Sequence, residues 1–385
     1  MKFLGYKRPD GSVGVRNHLL ILPSTGCANN IANKIACQVD GAVVAFHNQG
    51  CAQLGEDKEQ TYRVLVGLGK NPNVGAVIVV GLGCEQISAD KLAEDIASSG
   101  KPVDFVIALD EGGVTAAVAK GVKIATNMAR QISEIRREEV DVSSLTIGVK
   151  CALTDTTSGL TANPAVGYAM DLIIKNGGTV IFGETPEIIG AEHILAKRAE
   201  NEEVKKKLFE IVRNTENRVK TIGVDIRGAN PAPGNIKAGI TTIEEKSLGA
   251  ILKGGTSPIK GVLKYGEKAS GKGLFVMDGP GRTHEALTGL VASGAVILVM
   301  PTGGGSPSGS TLAPTLKVTG NPRTYEKLPE YIDVNVSSIL EGVESIEEAG
   351  ERVYNEILKV ASGKKTKIES LGCGATAIYT LWSHV

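Results

Sequence analysis

Residues 75–85 read Gly75-Ala76-Val77-Ile78-Val79-Val80-Gly81-Leu82-Gly83-Cys84-Glu85. An unbroken apolar run ends in a glycine turn that carries a thiol. Its β-branched side chains suit a strand, and the missing polar alternation means that both faces of that strand are buried. Such strands belong to parallel sheets with helices on either side, and those sheets carry function on the loops after the strands' carboxyl ends. The same unit recurs outward from this stretch. Strands are expected at His18–Leu22, Ala42–Phe46, Ala76–Gly81, Val103–Ala108, Thr146–Lys150, Thr179–Phe182, Gly273–Met277 and Ala295–Met300. Helical periodicity falls between them, at Asn29–Gln38, Asp57–Gly67, Ser88–Ser99, Val114–Glu139, Asn163–Asn176, Glu192–Asn217 and His284–Ala292. The alternation predicts an α/β protein with parallel or mixed sheets flanked by helices.

At 385 residues the chain is long for one domain. The charged helix ending near Glu139 and the restart at Asp141–Ser144 divide it into lobes at 1–140 and 141–385, with the site expected between them. Lys+Arg and Asp+Glu balance at 42 each, so no surplus positive charge favours a nucleic-acid backbone. No apolar run approaches the roughly 20 residues of a membrane span, and the opening residues lack the apolar core of a secretory signal. A cytoplasmic location is therefore expected, and the six cysteines, spread thinly over the chain, are read as free thiols.

In the first lobe three successive strand ends deliver a thiol: Pro23-Ser24-Thr25-Gly26-Cys27, His47-Asn48-Gln49-Gly50-Cys51 and Gly81-Leu82-Gly83-Cys84-Glu85. Loops at one edge of a parallel sheet converge, and three cysteines with a histidine suit iron or zinc with one position left open. A free cysteine is also a small buried hydrophobe, but recurrence at equivalent places argues for ligation. Cys37 and Cys373 read as packing residues.

In the second lobe Phe182-Gly183-Glu184-Thr185-Pro186-Glu187 places a carboxylate at a strand end, and His193 follows. Glu184 and His193 are candidate acid, base or ligand partners, although a histidine among charged helical residues is also an ordinary surface residue. In the stretch 234–247, Thr242 and Glu245 have the spacing of a helix capping box, while Asn235, Lys237 and Lys246 suit a grip on a hydroxylated carboxylate. Two glycine-rich loops, Asp278–His284 and Thr302–Ser310, follow apolar strands and offer backbone N–H groups to an anion. Neither has the spacing of a nucleotide or dinucleotide loop, so ATP and NAD are not supported.

Taken in order, Gly5–Asn17, the Cys27 turn, His47–Cys51, Gly83-Cys84-Glu85, Glu184–Glu187, Asn235 with Thr241–Ser247, and Asp278–Gly281 resemble the altronate and galactarate dehydratase family across nearly the whole chain. The chain is also similar to the large subunit of sulfolactate sulfo-lyase. The resemblance implies a lyase that removes water from a sugar acid to give a 2-keto-3-deoxy acid. It further implies a divalent iron (or manganese) ion, with an iron–sulfur cluster as the alternative, and a separately encoded small subunit in place of a small domain ahead of the arginine-rich opening. Assembly as a homo-oligomer is compatible with it. Under this resemblance Cys27, Cys51 and Cys84 are metal ligands with His47 as substitute. Glu184, His193 and Lys246 are the catalytic set, and Arg16, Asn17, Asn235, Thr242, Glu245, Asp278, Thr302, Gly303 and Ser306 orient substrate. Where sugar-acid members show Thr-Gly-Arg-Gly, this chain reads Thr302-Gly303-Gly304-Gly305, so a cation is missing unless Lys317 or Arg282 supplies it. A rival reading is a non-catalytic subunit that binds sugar acids.

Overall fold

The computed structural model describes residues 1–382, among which the two largest sheets are parallel. The smaller has the order Ala42–Val44, His18–Pro23, Val74–Gly81, Val103–Ile107, all parallel. The larger has seven strands, ordered Ile259–Leu263, Gly273–Met277, Thr179–Phe182, Thr146–Val149, Ile297–Pro301, Thr315–Thr319, Val334–Asn335, again all parallel. The apolar run at 75–80 is buried over its whole length, as a strand covered on both faces must be. No helix among the described residues is long and apolar enough to cross a membrane.

Helices Asn29–Ala36 and Val114–Ser133 close one face of the small sheet around Ile35, Ile78 and Ala125. The other face is shared with the larger lobe: Leu65 and Leu68 of helix Gly55–Lys70 enter one core with Leu287, Leu290 and Val291 of helix Thr283–Ala292. Gly67 permits this approach, because a Cβ there would stand 2.3 Å from the carbonyl oxygen of Ala292. The opposite face of the large sheet is covered by helices Asn163–Lys175 and Ile346–Ala361. That core also takes in Phe3, Val13 and Val15 from the start of the chain.

Two expected helices differ in the structure. The segment expected as helix to Glu139 stops at Ser133, and Glu138–Asp141 becomes a strand antiparallel to Lys2–Lys7. Pairing with a distant segment overrides local helical propensity there. The expected helix Glu192–Asn217 is two, Glu192–Ala196 and Glu202–Thr221, because the Asn201 side chain accepts from the Val204 N–H and starts a new helix.

Candidate active site

In the large sheet the chain leaves Thr146–Val149 toward one side and later adds Ile297–Pro301 on the other, so the crevice beyond these two carboxyl ends is the topological switch point. A cavity of about 460 Å³ lies there, lined among others by Lys150, Asp155, Glu187, Lys246, Ser306 and Asn321. Its lining comes entirely from residues 150–321, so the pocket belongs to the larger lobe rather than lying between the two.

The strand Thr179–Phe182 runs into a turn that sends two carboxylates to different places. Glu184 takes φ 77° and ψ 66°, a left-handed conformation costing a non-glycine residue roughly 1–3 kcal/mol, and is fully buried. Its carboxylate lies 2.9 Å from Lys150 Nζ and 3.4 Å from Lys253 Nζ, and accepts the Cys151 N–H at 3.0 Å. Burial works against this carboxylate, but Lys150 and Lys253 outweigh it and hold its pKa below the ordinary value. Burial first, and the Glu184 charge next, push the Cys151 thiol up to about 11. Three residues on, Glu187 lines the cavity. Its Oε1 meets Lys246 Nζ at 2.9 Å, while its Oε2 is buried without a hydrogen-bond partner. Lys246 also donates to Asn230 Oδ1 at 2.8 Å, which fixes the ammonium beside the carboxylate.

The glycine loop after Ile297–Pro301 forms another wall. Thr302 Oγ1 accepts the N–H groups of Gly305 and Ser306, so this hydroxyl shapes the turn rather than facing substrate. A Cβ at Gly303 would sit 2.3 Å from the Asp155 carboxyl carbon, so only glycine fits against it. Asp155 accepts from Ser158 Oγ at 2.9 Å and from Asn321 Nδ2 at 2.7 Å. Gly304 is exposed at the rim. Neither cation expected to replace an arginine there lines the cavity. Arg282 turns outward to Glu285 at 2.9 Å, and Lys317 is fully buried with Nζ donating to Met300 Sδ and the Ser308 carbonyl. Burial, followed by repulsion from Lys150, lowers Lys317 to about 7.

The structure redistributes the expected site. Lys246, Asn235, Gly303 and Ser306 line the cavity. Glu184 lies beneath it, sealed from solvent, and therefore does not meet substrate as a base. His193 is exposed on helix Glu192–Ala196 in a separate depression with Lys197 and Glu200. Replacing His193 with alanine should leave kcat/KM within about twofold, since exposed positions of this kind carry little; a steady-state comparison checks it. Arg16 is spent on Glu369, at 2.6 and 2.7 Å, and on the carbonyls of Val15, Val360 and Lys364. Asn17 bridges Arg8 and the Ile132 carbonyl. Thr242 and Glu245 cap helix Ile243–Ala250, with Thr242 accepting the Glu245 N–H and Glu245 accepting from Thr241. Asp278 accepts from Thr185 Oγ1 at 2.5 Å outside the cavity lining. Lys150, Asp155, Glu187 as a pocket residue and Asn321 were not singled out for this role. The available signal was that Lys150 directly follows a buried strand, where such sheets place function.

The cysteine loops do share one edge of the small sheet. Gly26 N–H bonds the Gln49 carbonyl, Gln86 N–H bonds the Gly50 carbonyl, and Ser24 Oγ donates to Glu85. Cys27, Cys51 and Cys84 are all exposed on these loops. Yet no three His, Cys, Asp or Glu side chains among the described residues are grouped so as to hold a metal ion. His47 is removed from the ligand set: it is buried, with Nε2 against the Pro23 carbonyl at 2.8 Å and Nδ1 accepting the Gln49 N–H at 3.1 Å. A single ion held by Cys27, His47, Cys51 and Cys84 does not fit this arrangement, and none of the four lines the cavity.

Residues 5–133 match the family model for the second domain of D-galactarate dehydratase/altronate hydrolase, and residues 142–384 match the C-terminal model of D-galactarate/altronate dehydratase. The chain belongs to the galactarate/altronate dehydratase family. Among its relatives in that family, the (2R)-sulfolactate sulfo-lyase subunit beta of Chromohalobacter salexigens is 39% identical over 96% of this chain and 95% of its own length. Altronate dehydratase of Bacillus subtilis is 37% identical over 98% of this chain and 77% of its own. Galactarate dehydratase (L-threo-forming) of Escherichia coli is 35% identical over 94% and 73%.

Proposed function

We propose that this chain is a hydro-lyase that removes water from a sugar acid and leaves a 2-keto-3-deoxy acid. The observation that carries this reading is the Glu187–Lys246 pair, one carboxylate oxygen unpartnered, in the same switch-point cavity as Lys150. The substrate carboxylate seats against the cations. Glu187 takes the proton from the carbon beside that carboxylate, and negative charge spreads into the carboxylate as the bond breaks. Fixed cations in a dry site stabilise that charge more than water does. Lys246 gives a proton to the departing hydroxyl, water leaves, and the resulting enol becomes the 2-keto acid. Aldonates and aldarates assayed for 2-keto-3-deoxy acid formation test this reading. One sugar acid should turn over, and product from none under reducing, iron-replete conditions would overturn it in favour of a binding subunit.

A sulfo-lyase is the second reading. It is favoured by the relative named (2R)-sulfolactate sulfo-lyase subunit beta, 39% identical over 96% of this chain. Under it, sulfite is released from sulfolactate, and a separately encoded small subunit is the partner. Adding that subunit to both assays separates the two.

For the cofactor, we propose the iron–sulfur version over a single ion. Its support is three exposed thiols on loops of one sheet edge, the soft ligands that iron–sulfur clusters take. Anaerobically purified protein should hold about four irons and about four sulfides per chain, as a [4Fe–4S] cluster requires. Iron without acid-labile sulfide would contradict the cluster.

A further inference from the structure

Glu184 is held by two cations and a backbone N–H, yet it does not line the cavity. Its backbone is left-handed, its side chain is fully buried, and its oxygens are shared among Lys150, Lys253 and the Cys151 N–H. Both lysines are buried, Lys253 at 1% and Lys150 at 3% exposure, but only Lys150 lines the cavity. Lys150 also donates to the Cys151 carbonyl, so its ammonium is held against the turn that follows strand Thr146–Val149. Burial works against the Lys253 ammonium, but Cys151 and Glu184 facing it raise its pKa, so Lys253 stays charged and holds the carboxylate from behind.

We propose that Glu184 is a positioning residue for Lys150, and that Lys150 is the cation that binds the substrate's carboxylate. Without Glu184, two ammonium groups would share a dry space and repel each other, and Lys150 would have no fixed direction. With it, the Lys150 ammonium is held between the Glu184 carboxylate and the Cys151 carbonyl, in a fixed direction at the cavity lining. The left-handed turn at Glu184 brings its carboxylate under Lys150, while Glu187, three residues later, reaches the cavity. The inference rests on the sugar-acid reading for the ligand's class, a 2-hydroxycarboxylate, but its test does not need turnover.

The probe is 3-deoxygluconate, which keeps the carboxylate and the neighbouring hydroxyl but has no leaving group on its third carbon. Its dissociation constant is measured by calorimetry on the full chain, with thermal unfolding of each variant alongside. Lys150→Met should weaken binding at least about 30-fold and Glu184→Gln about tenfold, with Glu184→Asp recovering part of the loss. Lys253→Met disturbs the same buried cluster but leaves the Lys150–Glu184 pair, so it should change the constant by less than about threefold. A purely structural Glu184 would put Glu184→Gln and Lys253→Met on the same footing, with lower stability and equal affinity. That outcome, or a Lys150→Met chain that binds as tightly as the parent, overturns the inference. If the parent chain binds 3-deoxygluconate and the variants follow this order but no sugar acid turns over, the dehydratase reading fails and the inference stands.

Discussion

Replacing Glu187 with glutamine should lower kcat by about 10²–10⁴-fold, the usual worth of a positioned general base, while the chain stays folded. The side chain of Glu187 is buried at the cavity wall with one oxygen unpartnered, so the amide fills the same space and keeps a weaker contact with Lys246. Proton removal is what it loses. Lys246→Met should fall by a similar factor and should not add fully to it, since the two groups act as one acid–base pair 2.9 Å apart. Single-turnover rates with a sugar acid check both, and a Glu187→Gln enzyme within tenfold of the parent would remove Glu187 from the chemistry.

Arg16→Ala should destabilise the fold by about 3 kcal/mol without changing KM of the surviving folded enzyme, near the lower bound for a broken buried ion pair. Arg16 makes two short bonds to Glu369 and reaches three carbonyls, tying the start of the chain to the segment after helix Ile346–Ala361. The Glu369 side chain keeps 22% exposure, so water softens the loss. Burial raises the Glu369 carboxyl, but the Arg16 hydrogen bond and charge outweigh it and hold the pKa below the ordinary value. The stabilisation is therefore fully present above the unfolded carboxyl value of roughly 4.3 and lost as pH falls through the depressed folded one. Urea titrations of parent and variant at pH 7 and pH 4 check this: the gap between them should narrow at the lower pH. An unchanged midpoint together with a raised KM would return Arg16 to the substrate.

Much of the scaffold was legible because the strands are uniform. All eight expected strands exist, since runs such as 75–80 and 297–300 must be buried on both faces wherever they sit. Segments whose partners lie far away in sequence were not legible: Glu138–Asp141 pairs with Lys2–Lys7, which no local pattern reveals. The site divides in the same way. Lys246, Asn235, Gly303 and Ser306 line the cavity because glycine turns after buried strands and polar loops opposite them are readable. Glu184 and Glu187 could not be told apart from their spacing; the left-handed backbone of one decides which reaches the cavity. Arg16, conspicuous in sequence, turned out to hold the termini together because its partner lies 353 residues away. The cysteines reached one sheet edge as expected, but the histidine expected beside them is taken up by the Pro23 carbonyl and the Gln49 N–H of its own loop.

The proposed mechanism places substrate in the large lobe's switch-point cavity, between the carboxyl ends of Thr146–Val149 and Ile297–Pro301. A crystal structure of the chain with 3-deoxygluconate tests it most directly. Its carboxylate should lie within hydrogen-bonding distance of Lys150 and its second carbon beside the Glu187 carboxylate. Ligand bound instead at the Cys27, Cys51 and Cys84 edge, with that cavity empty, would contradict it.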